Sequence, residues 1–238
     1  MLILKRKMNA KNNTLSRLIL ILLLVLTGPS SIIAENLPAV PECEIIIDDF
    51  SNGIKPGWKI RSFKGTTDYT WIKQDNRTYV RATSKGTASG LYYEIKFEPR
   101  QYPYLRWQWK VENIIASGDA LQKSGDDYSA RIYVVFPSFF FWNTRAINYI
   151  WANKLPKEQA VPNPYTANSI MISVESGRAE SGKWITETRN IYEDYKRFFG
   201  KEPPMAGAIA IMTDTDNTGE SATADYGPIS VCSHDPGQ

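Results

Sequence analysis

Arg131 and Tyr133 stand two positions apart in the run 127–136, and Arg106 and Gln108 repeat that spacing in the run 104–111. Guanidinium forks, an amide and a phenol are side chains that hold sugar hydroxyls and carboxylates. If the two runs are neighbouring strands, Arg106, Gln108, Asp127, Arg131 and Tyr133 line one sheet face as a ligand-binding groove. A solvated face with cross-strand ion pairs is the plain alternative. A second group, Asp214, Asp216, Asn217, Glu220 and Asp225, offers dense oxygen ligands to a hard cation. A structural calcium on Asp214, Asp216, Asn217 and Asp225 is therefore the one cofactor expectation, with Asp48 and Asp49 joining if the chain ends meet. The EF-hand loop pattern is missing, and these residue types also form turns.

Paired carboxylates would support a third chemistry. Asp126 or Asp127, acting with Glu187 or Asp194, would supply an acid and a base or nucleophile for glycoside cleavage. Tyr133 as base, with Arg131 neutralising a uronate, would make a lyase. Phe139-Phe140-Phe141-Trp142 after Pro137 reads as an aromatic loop: a lip over a groove, a partner surface, or a segment folded under the core. The single histidine, His234, lies four residues from the end. That speaks against Ser-His-Asp, Cys-His and histidine-zinc sites. No phosphate loop or dinucleotide fingerprint occurs.

A two-residue rhythm supplies the frame. In the run 104–111, Leu105, Trp107, Trp109 and Val111 oppose Tyr104, Arg106, Gln108 and Lys110. In 127–136, Tyr128, Ala130, Ile132, Val134 and Phe136 oppose Asp127, Ser129, Arg131 and Tyr133. A slip of one residue would bury arginines and expose tryptophans, so Trp107 and Trp109 are expected in the core, with sugar-stacking platforms as the alternative. Eleven such runs, from 44–50 to 229–232, are separated by Gly, Pro, Asn or Asp. Only 189–199 reads as a helix, with Ile191, Tyr195 and Phe198 on one face and Gly200 as its stop. With 42% hydrophobic and 22% charged residues, disorder, collagen and coiled coil are excluded. The expected fold is all-β: a two-sheet jelly-roll-like sandwich with one short helix, a single domain over residues 35–238.

Residues 1–34 read as a signal peptide. Lys5, Arg6, Lys7, Lys11 and Arg17 precede an apolar stretch from Leu18 to Leu26, then Thr27-Gly28-Pro29 and Ile32-Ile33-Ala34. The apolar stretch would rise about 14 Å as a helix, short of about 30 Å of hydrocarbon. An anchor extended by Ile32 and Ile33 is the alternative. Without these five cations the formal +3 becomes −2, so a whole-domain basic surface for nucleic acid is not expected. The mature chain is expected to be periplasmic or secreted, with no membrane span after signal removal. If the end strands are neighbours, Cys43 and Cys232 form a disulfide that contributes about 5 kcal/mol through its long loop; two buried thiols are the alternative.

Several phrases act as a set: Thr87-Ala88-Ser89-Gly90-Leu91, Trp107-Gln108-Trp109-Lys110, Gly125-Asp126-Asp127-Tyr128-Ser129-Ala130-Arg131 and Tyr149-Ile150-Trp151-Ala152. Further on come Arg189-Asn190-Ile191-Tyr192-Glu193-Asp194-Tyr195 and Met212-Thr213-Asp214-Thr215-Asp216-Asn217-Thr218-Gly219. Together, from about Asp49 to Val231, they resemble a bacterial family of exported proteins of unknown function. The resemblance implies a sandwich similar to carbohydrate-binding modules and marks Asp126, Asp127, Arg131, Arg189, Asp194, Asp214, Asp216 and Asn217. Asp194, with Arg189 as ion partner, is also suited to anchoring the helix. After Tyr226-Gly227 the family pattern has an acid where this chain has Pro228, which argues against a metal role there. The leading expectation is an exported, non-catalytic protein that binds glycan or another envelope polymer on a polar sheet face. A carbohydrate-active hydrolase or lyase is the second, and a structural envelope protein docking through 139–142 is the third.

Overall fold

The computed structural model describes residues 43–237; the expected leader and its cleavage site lie outside the described residues. Two sheets stack face to face. The first runs in the order β11 (Ile185–Asn190), β6 (Tyr104–Val111), β13 (Ser221–Cys232), β4 (Arg77–Lys85) and β3 (Asp68–Gln74), with β1 (Ile45–Asp48) also on β13. The second runs β2 (Trp58–Lys64), β5 (Ala88–Phe97), β12 (Ala206–Met212), β7 (Ala130–Phe136), β8 (Arg145–Ala152), β10 (Thr166–Ser176) and β9 (Ala160–Asn163). With one α-helix among the described residues, α1 (Ile191–Phe199), this is the all-β, jelly-roll-like sandwich the alternation implies.

The core lies where the inward faces meet. Trp107 and Trp109 of β6 are buried, as their positions require. Trp107 stacks on Tyr149 of β8 with ring centroids 5.3 Å apart, and Trp109 meets Trp151 at 5.8 Å. Each indole removes about 150–250 Å² from water, on the order of 4–6 kcal/mol of favourable burial. These contacts join the two sheets, and they overturn one premise of the expected groove. β6 pairs with β11 and β13, whereas β7 pairs with β12 and β8. Runs 104–111 and 127–136 therefore lie in opposite sheets, and their polar sides face away from each other.

The strand expected from Asp127 starts only at Ala130. Gly125 sits where an added Cβ would lie 2.6 Å from the backbone nitrogen of Asp119, so only glycine permits this close turn. Two strands escaped the alternation, β2 and β9. β2 is exposed from Lys59 to Lys64, so neither face is marked as apolar. β9 is a short edge strand containing Pro162, a residue that strand patterns read as a break. The helix follows its signals: Asn190 accepts the Glu193 N–H at 3.0 Å and Gly200 ends it at φ 64°.

β1 runs antiparallel to β13 with Ile45 opposite Val231. This pairing sets Cys43 beside Cys232, Cα atoms 4.4 Å apart, and the two form the expected disulfide. No helix among the described residues is long and apolar enough to cross a membrane.

Candidate functional site

The outer face of the second sheet is partly roofed. Loop residues fold onto it, and Ala120, Tyr128 and Leu155 pack with Ile150, Ala152 and Met171 in a small second core. Tyr128 thus lies outside the sheet, opposite to the side its alternation implied. The roof is pinned by Asp127, whose carboxylate accepts the N–H groups of Asn217 (3.2 Å) and Thr218 (2.7 Å). Its backbone carbonyl accepts from Asn153 Nδ2 at 2.7 Å. Asp126 accepts from Asn163 Nδ2 through both oxygens, at 3.2 and 3.0 Å. The loops before β7, after β12 and at the β9–β10 turn are thereby held together.

Arg131 is the centre of this corner. Expected at the surface, its residue is 4% exposed, and its Nη2 donates to Asp214 Oδ2. Its own N–H donates to the Tyr226 hydroxyl at 3.2 Å, and that hydroxyl donates to the Met212 carbonyl at 2.7 Å. Burial pushes the Asp214 carboxyl well up; Arg131 pulls against this, while Asp127 and Asp126 add to it. Burial and then Asp127 also raise Asp216. Oxygen atoms of Asp127, Asp214 and Asp216 lie within 4.8 Å of one another. Three buried polar atoms at this corner have no hydrogen-bond partner among the described residues: Arg131 Nε, Tyr128 Oη and Asn148 Oδ1.

Beside the corner lies a cleft of about 670 Å³. Arg131, Tyr133 and Asn148 form its floor, with Tyr133 directly opposite Asn148 on β7 and β8. Asp126, Asp214, Asp216, Asn163 and Asn217 line one end, and Tyr165, Phe141 and Trp142 stand along the rim. Phe141 and Trp142 are 80% and 59% exposed, so the aromatic loop is a lip at the cleft and not a buried segment. A second hollow of about 430 Å³ shares Arg61, Phe63, Tyr133 and Met212 with the first and extends over Tyr92 and Glu94. Pockets of about 300–1,000 Å³ with a few convergent polar groups are the usual form of ligand sites.

The family described as "Protein of unknown function (DUF3047)" matches residues 56–230. The chain belongs to this family. No curated protein matches it in sequence. Among solved structures it is similar to the family 11 carbohydrate-binding module from Clostridium thermocellum in complex with a β-1,3-1,4-mixed-linked tetrasaccharide. That match has 11% identity and a TM-score of 0.42, covering 79% of this chain and 94% of that one. It is also similar to the endoglucanase cel12A from Rhodothermus marinus (10% identity, TM-score 0.42, 74% and 95% covered). A third is the xyloglucanase domain of NopAA from Sinorhizobium fredii (9% identity, TM-score 0.44, 78% and 98% covered).

Of the residues singled out by sequence, Arg131, Tyr133, Asp126, Asp214, Asp216 and Asn217 meet in the cleft, and Asp127 anchors its wall. Arg106 and Gln108 do not; β6 carries them in the other sheet, where Gln108 accepts from Arg77 Nη1 at 3.3 Å. Asp225 leaves the expected calcium set, because Arg81 (2.7 Å) and Lys110 (3.0 Å) hold its carboxylate on the first sheet. Glu220 accepts the N–H groups of Ala116 and Ser117 in a distant loop, and Asp48 those of Phe50 and Lys55 in its own, so both are spent on holding backbone. Asp49 likewise caps Ser51. Pro228 falls where β13 shifts register, beside Trp184.

The pairings of Asp126 or Asp127 with Glu187 or Asp194 are not formed. Glu187 lies on the edge strand β11 near Glu175 and Lys157, and Asp194 accepts from Tyr149 Oη (2.8 Å) and Arg189 (3.2 Å). Asp194 is thus the helix anchor. The lyase assignment loses its base, since burial and the nearby Asp214 and Asp126 push the Tyr133 hydroxyl up, with only Arg131 and Asn148 opposing. Sequence reasoning missed Asn148, Asn163, Asn168, Tyr165, Arg61 and Phe63 in the lining. Asn148 carried a readable signal, an amide inside Ile147-Asn148-Tyr149-Ile150-Trp151. Arg61 and Phe63 carried none, because β2 was not recognised.

Proposed function

We propose that this is an exported protein, periplasmic or secreted, that binds a glycan in the cleft on the outer face of the second sheet. The observation that carries this reading is the cleft floor. Arg131 Nε and Asn148 Oδ1 are buried there without partners among the described residues. A buried polar group left unpaired costs about 1–3 kcal/mol, so a ligand whose binding opens the floor enough to pair it recovers part of that cost. Around the floor stand aromatic rings and amides, a combination matched to the apolar faces and hydroxyl edges of sugars. Isothermal titration against neutral and acidic glycans tests the proposal. Binding should weaken in Asn148→Ala and Trp142→Ala and remain intact in Arg106→Ala. Equal affinity in all variants would remove the site.

Cleavage is a second reading, favoured by Asp126 and Asp216 facing the same cleft with Asp216 shifted up. New reducing ends from a polysaccharide panel, lost in both Asp126→Asn and Asp216→Asn, would establish it; intact polymer would dismiss it. A structural calcium is a separate proposal, now on Asp127, Asp214 and Asp216, whose oxygens converge. Arg131 already supplies a positive charge there. Calcium should raise the melting temperature after EDTA treatment, and Asp216→Asn should abolish the rise; no shift would leave Arg131 as the corner's cation.

A further inference from the structure

The two hollows on the second sheet are one groove, since they share Arg61, Phe63, Tyr133 and Met212. Aromatic rings stand at both of its ends and at its middle. At one end Phe140 stacks on Trp142 at 5.1 Å and Phe141 meets the same indole edge-on at 5.1 Å. Tyr133 and Phe63, the latter 63% exposed, line both hollows, and Tyr92 lines the second alone. A chain crosses all three groups.

Two of the three lining arginines are committed. Arg131 is held by buried Asp214. Arg145 donates to Tyr195 Oη at 3.3 Å and lies 4.6 Å from the Phe199 ring, drawn away from the opening. Asp126, Asp214 and Asp216 stand in the lining. An acidic sugar would bring its carboxylate or sulfate toward these carboxylates, with Arg61 alone among the lining arginines clear of such partners; its guanidinium lies over Phe63 at 5.5 Å. Like charges set against each other in a partly desolvated site select against that ligand. What the lining offers in number is amides: Asn148, Asn163, Asn168 and Asn217.

We propose that the groove takes an extended, uncharged polysaccharide chain, running from the Trp142 end across Tyr133 and Phe63 to Tyr92. This rests on the cleft being a glycan site and names the class of glycan. The test is affinity electrophoresis of the protein in gels containing xyloglucan, mixed-linkage β-glucan or dextran, and in parallel alginate or polygalacturonate. Titration with neutral oligosaccharides from dimer to hexamer accompanies it. At least one neutral polymer should retard the protein, the acidic ones should not, and affinity should rise with chain length. Tyr92→Ala and Trp142→Ala, one in each hollow, should each weaken polymer binding by about threefold to tenfold. Retardation by acidic polymers, lost in Arg61→Ala, would keep the glycan reading and overturn this one. Affinity independent of length would overturn the extended chain. Failure of every polymer to bind would overturn both.

Discussion

The outer faces of the two sheets are built from the same sequence rhythm and differ in how their polar groups are satisfied. On the first sheet, Asp225 is fully buried yet taken by Arg81 and Lys110, and Lys110 also reaches Glu112 at 2.7 Å. Trp184 lies between Arg77 and Lys110, 5.4 and 5.9 Å away, with Tyr79 against it at 5.3 Å. That face closes on itself. On the second sheet, Asp214 and Arg131 pair under a roof of loops, and Asn148 Oδ1 and Arg131 Nε are left over at a cleft floor. Polar alternation is common to both outer faces; buried polar groups left incompletely paired beside an open cleft are found on the second.

The largest difference should appear in stability. Arg131→Leu leaves Asp214 buried beside two further acids and should cost about 3–5 kcal/mol, whereas Arg81→Ala leaves Lys110 on Asp225 and should cost about 1–2 kcal/mol. Urea midpoints measure both, and equal losses would erase the contrast. Next comes pH. Burial, then Glu175, hold the Glu187 carboxyl at about 7, against an ordinary 4.5. Between these values the folded chain binds a proton that the unfolded chain has released, so stability falls as pH rises from 4.5 to about 7 and levels above it. The melting temperature should therefore be higher at pH 5 than at pH 7.5. Glu187→Gln should remove its own part of that slope; Asp214 and Asp216, which shift the same way, keep theirs. The smallest effect concerns ligand contact. Trp142→Ala should lose about 1 kcal/mol of glycan affinity, roughly fivefold, while Trp184→Ala on the first sheet should change none. Calorimetry on both variants sharpens the comparison or breaks it.

Much of the frame was legible because it depends on neighbours in sequence. Trp107 and Trp109 had to face inward once Arg106 and Gln108 faced out, and Asn190 and Gly200 delimit α1 by local hydrogen bonding and backbone freedom. Strand partners are not local. β6 takes β11 and β13 from far along the chain, and nothing in 104–136 says that the segment between β6 and β7 crosses from one sheet to the other. The site shows the same division. Asp126, Asp214 and Asp216 were visible as residue types, but their meeting depends on Asp127 clamping the 217–218 backbone. Asp225 looked equivalent to them in composition, and only its pairing with Arg81 and Lys110 removes it. Tyr128 broke its alternation because the chain before Ala130 is a loop with a core of its own.

Titration of one neutral polysaccharide into the wild-type chain and into Asn148→Ala and Arg106→Ala variants weighs the two faces against each other directly. Loss of affinity on replacing Asn148, with Arg106→Ala indistinguishable from wild type, is the predicted result. Affinity that follows Arg106 and ignores Asn148 would place the ligand on the first sheet and contradict the account.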